Sequence, residues 1–353
     1  MFKCYVYLFV LVTLSLNAWG QIQKPSDITG LYTQGRMMMW GIDGCKKDVK
    51  TGYIYLMEAA DKGAVDFYRE KMQEGDTKME LIYGLCFIEG HGVEDDPAKA
   101  YQIISSAYDH GEQQAAYIVE RLSNAGNPAF QYLIGFFYYD GVCGFDKSKS
   151  LAKSYWVDAA NSGHHHSIVA LAKDSFVSED WGNALKWNTK AAEIGTQEEK
   201  GNANNNLGLM YKYGNGVPMD YEKAKEYFKR AIDFGYAPAC FGLGKLLNNK
   251  EDAFSVFLQG AKMGNLSCLT EIGNYYYEGI APVEKDYDKA VYCYQKAAEA
   301  GNATAIFNLA LCYLKGHGVE KNINKGKSLL QQSAQKGNGR ARGILGNWDD
   351  YDF

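Results

Sequence analysis

Only six prolines occur in 353 residues, so helix ends must be set by another residue, and 38 glycines are present to set them. No charge of one sign dominates. Lys plus Arg number 37 against 42 Asp plus Glu, a net charge of −5, which offers no basic footprint for a phosphate backbone and excludes nucleic acid as the expected partner. Charged residues make up 22% and hydrophobic residues 46%, too little charge for a disordered chain and enough apolar content for a large core. Beyond the first twenty residues no apolar run nears the ~20 residues of a spanning helix, so no transmembrane segment is expected. Metalloprotease H-E-x-x-H, nucleophile-elbow G-x-S-x-G, P-loop and dinucleotide motifs are all missing. No cofactor is expected.

The N-terminus reads as a signal peptide over residues 1–20. Lys3 precedes an apolar run from Tyr5 to Leu16, and Ala18-Trp19-Gly20 leads up to an expected cleavage before Gln21. Export is the consequence. Cys4 stands before the apolar run, so a lipid attachment site is not indicated.

The remainder repeats one pattern. A small residue, three others and a glycine recur at intervals of roughly 30 to 50 residues, ending at Gly63, Gly111, Gly163, Gly195, Gly235, Gly264, Gly301 and Gly337. Four and eleven residues before each glycine the side chain is small, as in Ala231 and Ala224 before Gly235. Eight before it the residue is larger: Tyr55, Ile103, Tyr155, Trp187, Tyr227, Val256, Cys293 and Leu329. These offsets share one helix face, the small residues admit a neighbouring helix and the large one fills the gap. The glycine is expected to end the helix in the left-handed conformation.

A preceding helix in each repeat is marked by a small residue, Gly35, Gly84, Gly135, Ala172, Gly208, Gly244, Gly273 or Ala310, in five cases with an aromatic three later. Turns recur as Gly90-His91-Gly92-Val93, Gly214-Asn215-Gly216-Val217 and Gly316-His317-Gly318-Val319. Two helices per repeat make an α-solenoid. Residues 21–345 form it, followed by an acidic aromatic tail, 346–353, expected to be solvated. Two stretches, Ala64 to Glu74 and Glu112 to Ala125, each predict one added helix that caps or kinks the array.

The run Leu207-Gly208-Leu209-Met210-Tyr211, Gly214-Asn215-Gly216-Val217, Asp220, Lys223-Ala224, Tyr227-Phe228, Ala231, Gly235 resembles the Sel-one-like repeat, a relative of the tetratricopeptide repeat. The resemblance covers roughly residues 28 to 337 and implies an all-α, right-handed α-solenoid of about eight helix-turn-helix repeats. Two repeats depart, with shortened spacing from Ala172 to Ala184 and from Gly244 to Ala253. A change of superhelical pitch is expected there.

Candidates for chemistry are few. His164-His165-His166 is conspicuous, but consecutive helical residues point about 100° apart, so convergence on a metal is not expected. His91 and His317 occupy equivalent turns and read as part of the repeat. Some secreted cysteine-rich relatives are associated with β-lactam binding, and Ser150–Lys153 and Ser333–Lys336 match S-x-x-K while Lys50-Thr51-Gly52 matches K-T-G. Ser150 and Lys153 flank a required small position, and no strand exists to hold K-T-G. No catalytic set is assembled. Such relatives also bridge the two helices of a repeat, which makes Cys268 and Cys293 a candidate disulfide, with burial as small core residues the alternative for the set.

By resemblance to tetratricopeptide arrays, the first helix of each repeat lines a concave face. Its exposed offsets are Trp40, Tyr132, Phe136, Tyr139, Asp140, Lys212, Tyr213, Asn274, Tyr277, Glu278 and Lys315. Aromatic, mixed-charge surfaces suit a protein or peptide partner, although some of these rings will pack between repeats. The expected function is an exported, non-catalytic scaffold in the bacterial periplasm or exterior. The alternatives are an envelope enzyme or binder acting on peptidoglycan or β-lactams, and a quality-control adaptor of the endoplasmic reticulum on the eukaryotic secretory pathway.

Overall fold

The structure, a computed structural model, describes residues 24–348; the expected signal peptide, 1–20, and most of the tail lie outside them. Among the described residues it holds nineteen α-helices and no strand. Among these described residues no helix is long and apolar enough to cross a membrane. The chain divides into two compact units at Ser167 and Ile168.

In the first unit the paired helices are α1 (Ile28–Trp40) with α2 (Val49–Ala59), α4 (Thr77–Glu89) with α5 (Pro97–Asp109), and α7 (Pro128–Asp140) with α8 (Lys149–Asn161). The two added helices are α3 (Val65–Gln73), which leaves α2 through a π-turn at Ala60–Ala64, and α6 (Gln114–Asn124). Both fall where an extra glycine lengthens the sequence. Tyr68 of α3 is fully buried, with its hydroxyl donating to the Leu56 carbonyl at 3.1 Å. α6 packs on α2 and α7, so the first hairpin reaches the third: the Tyr53 and Phe130 rings meet edge-on with centroids 5.1 Å apart.

Helix α9 (His165–Val177) begins at the end of this unit. The second unit continues with α10 (Trp181–Ile194), α11 (Gln197–Tyr213), α12 (Tyr221–Asp233), α13 (Pro238–Gly244), α14 (Lys250–Lys262), α15 (Leu266–Glu278), α16 (Tyr287–Glu299), α17 (Ala303–Lys315), α18 (Ile323–Gln335) and α19 (Gly339–Gly346). The short α13 and the turn Ser178–Asp180 account for the two shortened repeats. Trp348, at the head of the tail, packs beside Leu330 with the Lys327 ammonium 4.5 Å above its ring.

Most helix starts are set by Asp or Asn side chains that accept from first-turn amides, as Asp220 does from Glu222 and Lys223. Proline opens only three helices, at Pro97, Pro128 and Pro238. Seven of the eight repeat-ending glycines have positive φ; Gly195 does not, with φ −62° and ψ 171°. There Thr196 opens α11 at once through a reciprocal cap with Glu199, leaving no room for a left-handed turn.

The large residue that fills the gap lies seven, not eight, positions before the glycine. Leu56, Ile104, Trp156, Phe228, Phe257 and Tyr294 abut Gly35, Gly84, Gly135, Gly208, Gly244 and Gly273. Residue −7 is one helical turn (i+4) beyond the small residue at −11 and shares its face, whereas residue −8 is rotated to the flank. Flanking rings stack on the preceding helix instead, as Tyr155 on Tyr138 and Tyr227 on Tyr211, each pair 10° from parallel. In the fourth repeat the −7 position is Asn188, fully buried, whose amide donates to the Ala172 and Ala184 carbonyls and whose oxygen accepts from Asn206. Hydrogen bonding replaces a hydrophobic knob there.

The seven described cysteines are free thiols, Cys268 and Cys293 among them. The absent side chain of Gly260 leaves a space occupied by Cys268 Sγ beside Cys240, so Cys268 turns toward α14. The bridge that the resemblance implied is not formed.

Candidate functional site

The eleven expected groove residues fall in both units. Trp40 is 6% exposed, and its indole donates to Glu112 at the head of α6. It is covered by the added helix. Tyr132, Phe136 and Tyr139 form a half-buried ladder on α7, with Phe136 and Tyr139 both on Trp156 at centroid distances of 4.9 and 5.8 Å. Asp140 accepts from the Tyr101 hydroxyl at 2.6 Å, and burial holds that phenol above its ordinary range.

In the second unit, Asn274 accepts from the Tyr294 hydroxyl and from Asn308 at 2.8 and 2.9 Å. The Tyr277 hydroxyl lies 2.9 Å from His317 Nδ1, and burial pushes its pKa up to about 12. These two side chains tie neighbouring repeats together. Glu278 and Lys315 are exposed, and Lys212 sits half-buried with its ammonium 4.9 Å from the Tyr213 ring.

Tyr213 is 61% exposed, and the α11–α12 turn adds Met219 at 61% and Tyr221 at 51%. The turn is held by amide bonds from Asn215 to the Met210 carbonyl and from Asp220 to the Tyr211 carbonyl, both 2.9 Å. Three large side chains therefore project from a fixed backbone. Sequence reasoning found only Tyr213, because Met219 and Tyr221 lie outside the helical offsets it used.

The serine motifs are not brought into a catalytic set. Ser333 is fully buried and donates to the Ala303 carbonyl at 2.7 Å. Lys50-Thr51-Gly52 lies inside α2, where an added Cβ on Gly52 would come within 2.6 Å of the Met39 amide.

The triple histidine opens α9. His164 Nδ1 is 2.9 Å from Ser167 Oγ, and burial, together with His166 and His165, pushes its pKa down to about 4. The expected divergence describes His164 alone. The rings of His165 and His166 have centroids 3.7 Å apart, and both reach toward Asp95 in the α4–α5 turn. A depression of about 610 Å³ opens beside them, lined by Phe87, Val93, Asp95, Tyr132 and His166 among others.

The Sel1 repeat family model matches residues 35–63, 80–112, 128–164, 201–236, 266–302 and 303–338. The chain belongs to the Sel1-repeat family. The two repeats left unmatched are the shortened ones, at α9–α10 and α13–α14. Among solved structures, a Sel1 repeat protein from Oxalobacter formigenes superposes with TM-score 0.55 at 24% identity, covering 91% of this chain and 86% of that one. A protective antigen of uropathogenic Escherichia coli with an SLR fold gives 0.50 at 21% identity, covering 91% and 79%. These likenesses show the fold.

Among curated proteins, the chain is 26% identical over 207 residues to the Arabidopsis thaliana ERAD-associated E3 ubiquitin-protein ligase component HRD3A, covering 58% of this chain and 27% of the relative. It is 29% identical over 154 residues to an exopolysaccharide production negative regulator of Rhizobium meliloti, covering 42% and 50%. This Sel1-repeat chain thus spans half or less of the length of those relatives. Their names describe a component and a regulator rather than catalysts.

Proposed function

We propose that this chain is an exported, non-catalytic adaptor that holds a protein or peptide segment on its Sel1 repeats. The observation that carries the reading is the exposed Tyr213, Met219 and Tyr221 on the hydrogen-bonded α11–α12 turn. Large apolar side chains fixed in water are ready to be buried by a partner with little ordering cost. The mixed charge of the surface suits a polypeptide better than a polyanion. The component and regulator roles of relatives accord with it.

Export places the adaptor in a bacterial periplasm or outside the cell. N-terminal sequencing of the chain isolated from its source tests this, with Gln21 as the expected first residue. For the adaptor role, affinity capture from source extracts compares the parent with a Tyr213→Ala/Met219→Ala/Tyr221→Ala variant of unchanged helical circular dichroism. A discrete protein retained by the parent and lost by the variant supports the reading. Identical captures by both contradict it.

A further inference from the structure

We propose that Asp95, His165 and His166 form a binding site for one borderline divalent cation of the Zn²⁺, Ni²⁺ or Cu²⁺ class. One ligand atom from each of the three side chains lies within 4.8 Å of the others. His166 Nε2 is 3.1 Å from Asp95 Oδ2. A tetrahedral ion with bonds of about 2.0–2.1 Å separates its ligands by roughly 3.3 Å, so this pair already spans one edge. His165 completes the set with a side-chain rotation of an ångström or two, which its partial exposure allows.

The supports are built into the fold. Asp96 caps α5 by accepting from the Lys99 amide at 3.0 Å, which fixes the turn that carries Asp95. Tyr132 stacks on His166 at 5.9 Å and 25° and sets its ring plane. His164 is engaged with Ser167 instead and stands apart from the set. The Asp95 side chain is 50% exposed and the adjoining depression is open, so a hydrated ion can enter.

The donor set selects the ion. Two neutral imidazoles and one carboxylate suit Zn²⁺, Ni²⁺ or Cu²⁺ and leave one position for water or an outside ligand, whereas Ca²⁺ and Mg²⁺ demand mostly oxygen. The positive end of α9 opposes a cation there. Glu94 and Asp96, which line the same depression as Asp95, offset it. The competing explanation is a plain His166–Asp95 ion pair.

Titration of chelator-treated full-length protein with Co²⁺ and with Zn²⁺ decides between them, by absorption and by calorimetry respectively. The expected result is one ion per chain and a cobalt spectrum without thiolate charge transfer. His166→Gln and Asp95→Asn each weaken binding by about tenfold or more. His165→Ala does the same, and His164→Gln leaves affinity unchanged, all with parental circular dichroism. Absence of binding by the parent overturns the proposal. So does binding that survives His166→Gln and His165→Ala, that His164→Gln abolishes equally, or that shows thiolate charge transfer.

Discussion

The indole nitrogen of Trp40 lies 3.5 Å from Oε1 of Glu112, seventy-two residues on, and each residue is only 6% exposed. The contact ties the end of α1 to the head of α6, an inserted helix, and turns what would be a groove aromatic into part of the core. Trp40→Ala is expected to lower stability by about 3–5 kcal/mol. Trp40→Phe keeps most of the volume but leaves the carboxylate without its donor, at about 1–3 kcal/mol. Urea unfolding of both variants reads these costs, and near-parental stability of Trp40→Ala would show the site to be loose.

The glycines of the helix faces differ in what surrounds them. An added Cβ at Gly135 would overlap the Trp156 indole, whose Nε1 donates to the Tyr132 carbonyl at 3.0 Å. Gly182, inside α10, has nothing within 4 Å of such a Cβ. Gly135→Ala should cost about 1–3 kcal/mol. Gly182→Ala, in the first turn of α10, should gain about 0.4–1 kcal/mol by lowering the entropy of the unfolded chain. Thermal melts of the two variants should move in opposite directions.

The repeats were legible because every one carries small residues and a glycine at fixed offsets, and α3 and α6 were legible because Gly75 and Gly126 add a second stop in each long gap. The knob register was misread by one, since most repeats place apolar residues at both neighbouring positions, as Tyr227 and Phe228 do. Trp40 was misplaced because its offset is exposed in a plain array, and nothing in one sequence says that α6 folds back over it. The approach of Asp95 to His166 joins residues 71 apart through two turns, which periodicity does not encode.

Two histidines should give opposite pH dependences. The Glu89 carboxylate, 3.9 Å away, and the Asp61 carboxylate, hydrogen-bonded at 3.0 Å, raise the His91 pKa above 6.5. Its contribution is fully present below pH 6.5 and fades as pH rises through the raised value. The folded pKa of His164 is depressed to about 4, so its contribution is present above 6.5 and is lost as pH falls toward 4. The melting-temperature difference between parent and His91→Gln should therefore shrink with rising pH. The difference between parent and His164→Asn should shrink, or reverse, with falling pH.

Thiol reactivity should separate the cysteines. Burial pushes Cys86, Cys268 and Cys312 up to about 12 and Cys143, Cys240 and Cys293 up to about 11. Cys45 alone among the described cysteines is not buried. Since the thiolate is the reacting species, iodoacetamide at neutral pH should modify Cys45 first in the folded protein. Peptide mapping that finds Cys268 or Cys312 alkylated as fast would contradict the packing described.

The adaptor reading is tested most directly by photocrosslinking in the source cells, with a benzophenone amino acid in place of Tyr213 in one chain and of Ile54 in another. Both positions are exposed, at 61% and 47%. A discrete protein adduct from position 213 and none from position 54 is the predicted result. The same adducts from both positions, or none from either, would contradict it.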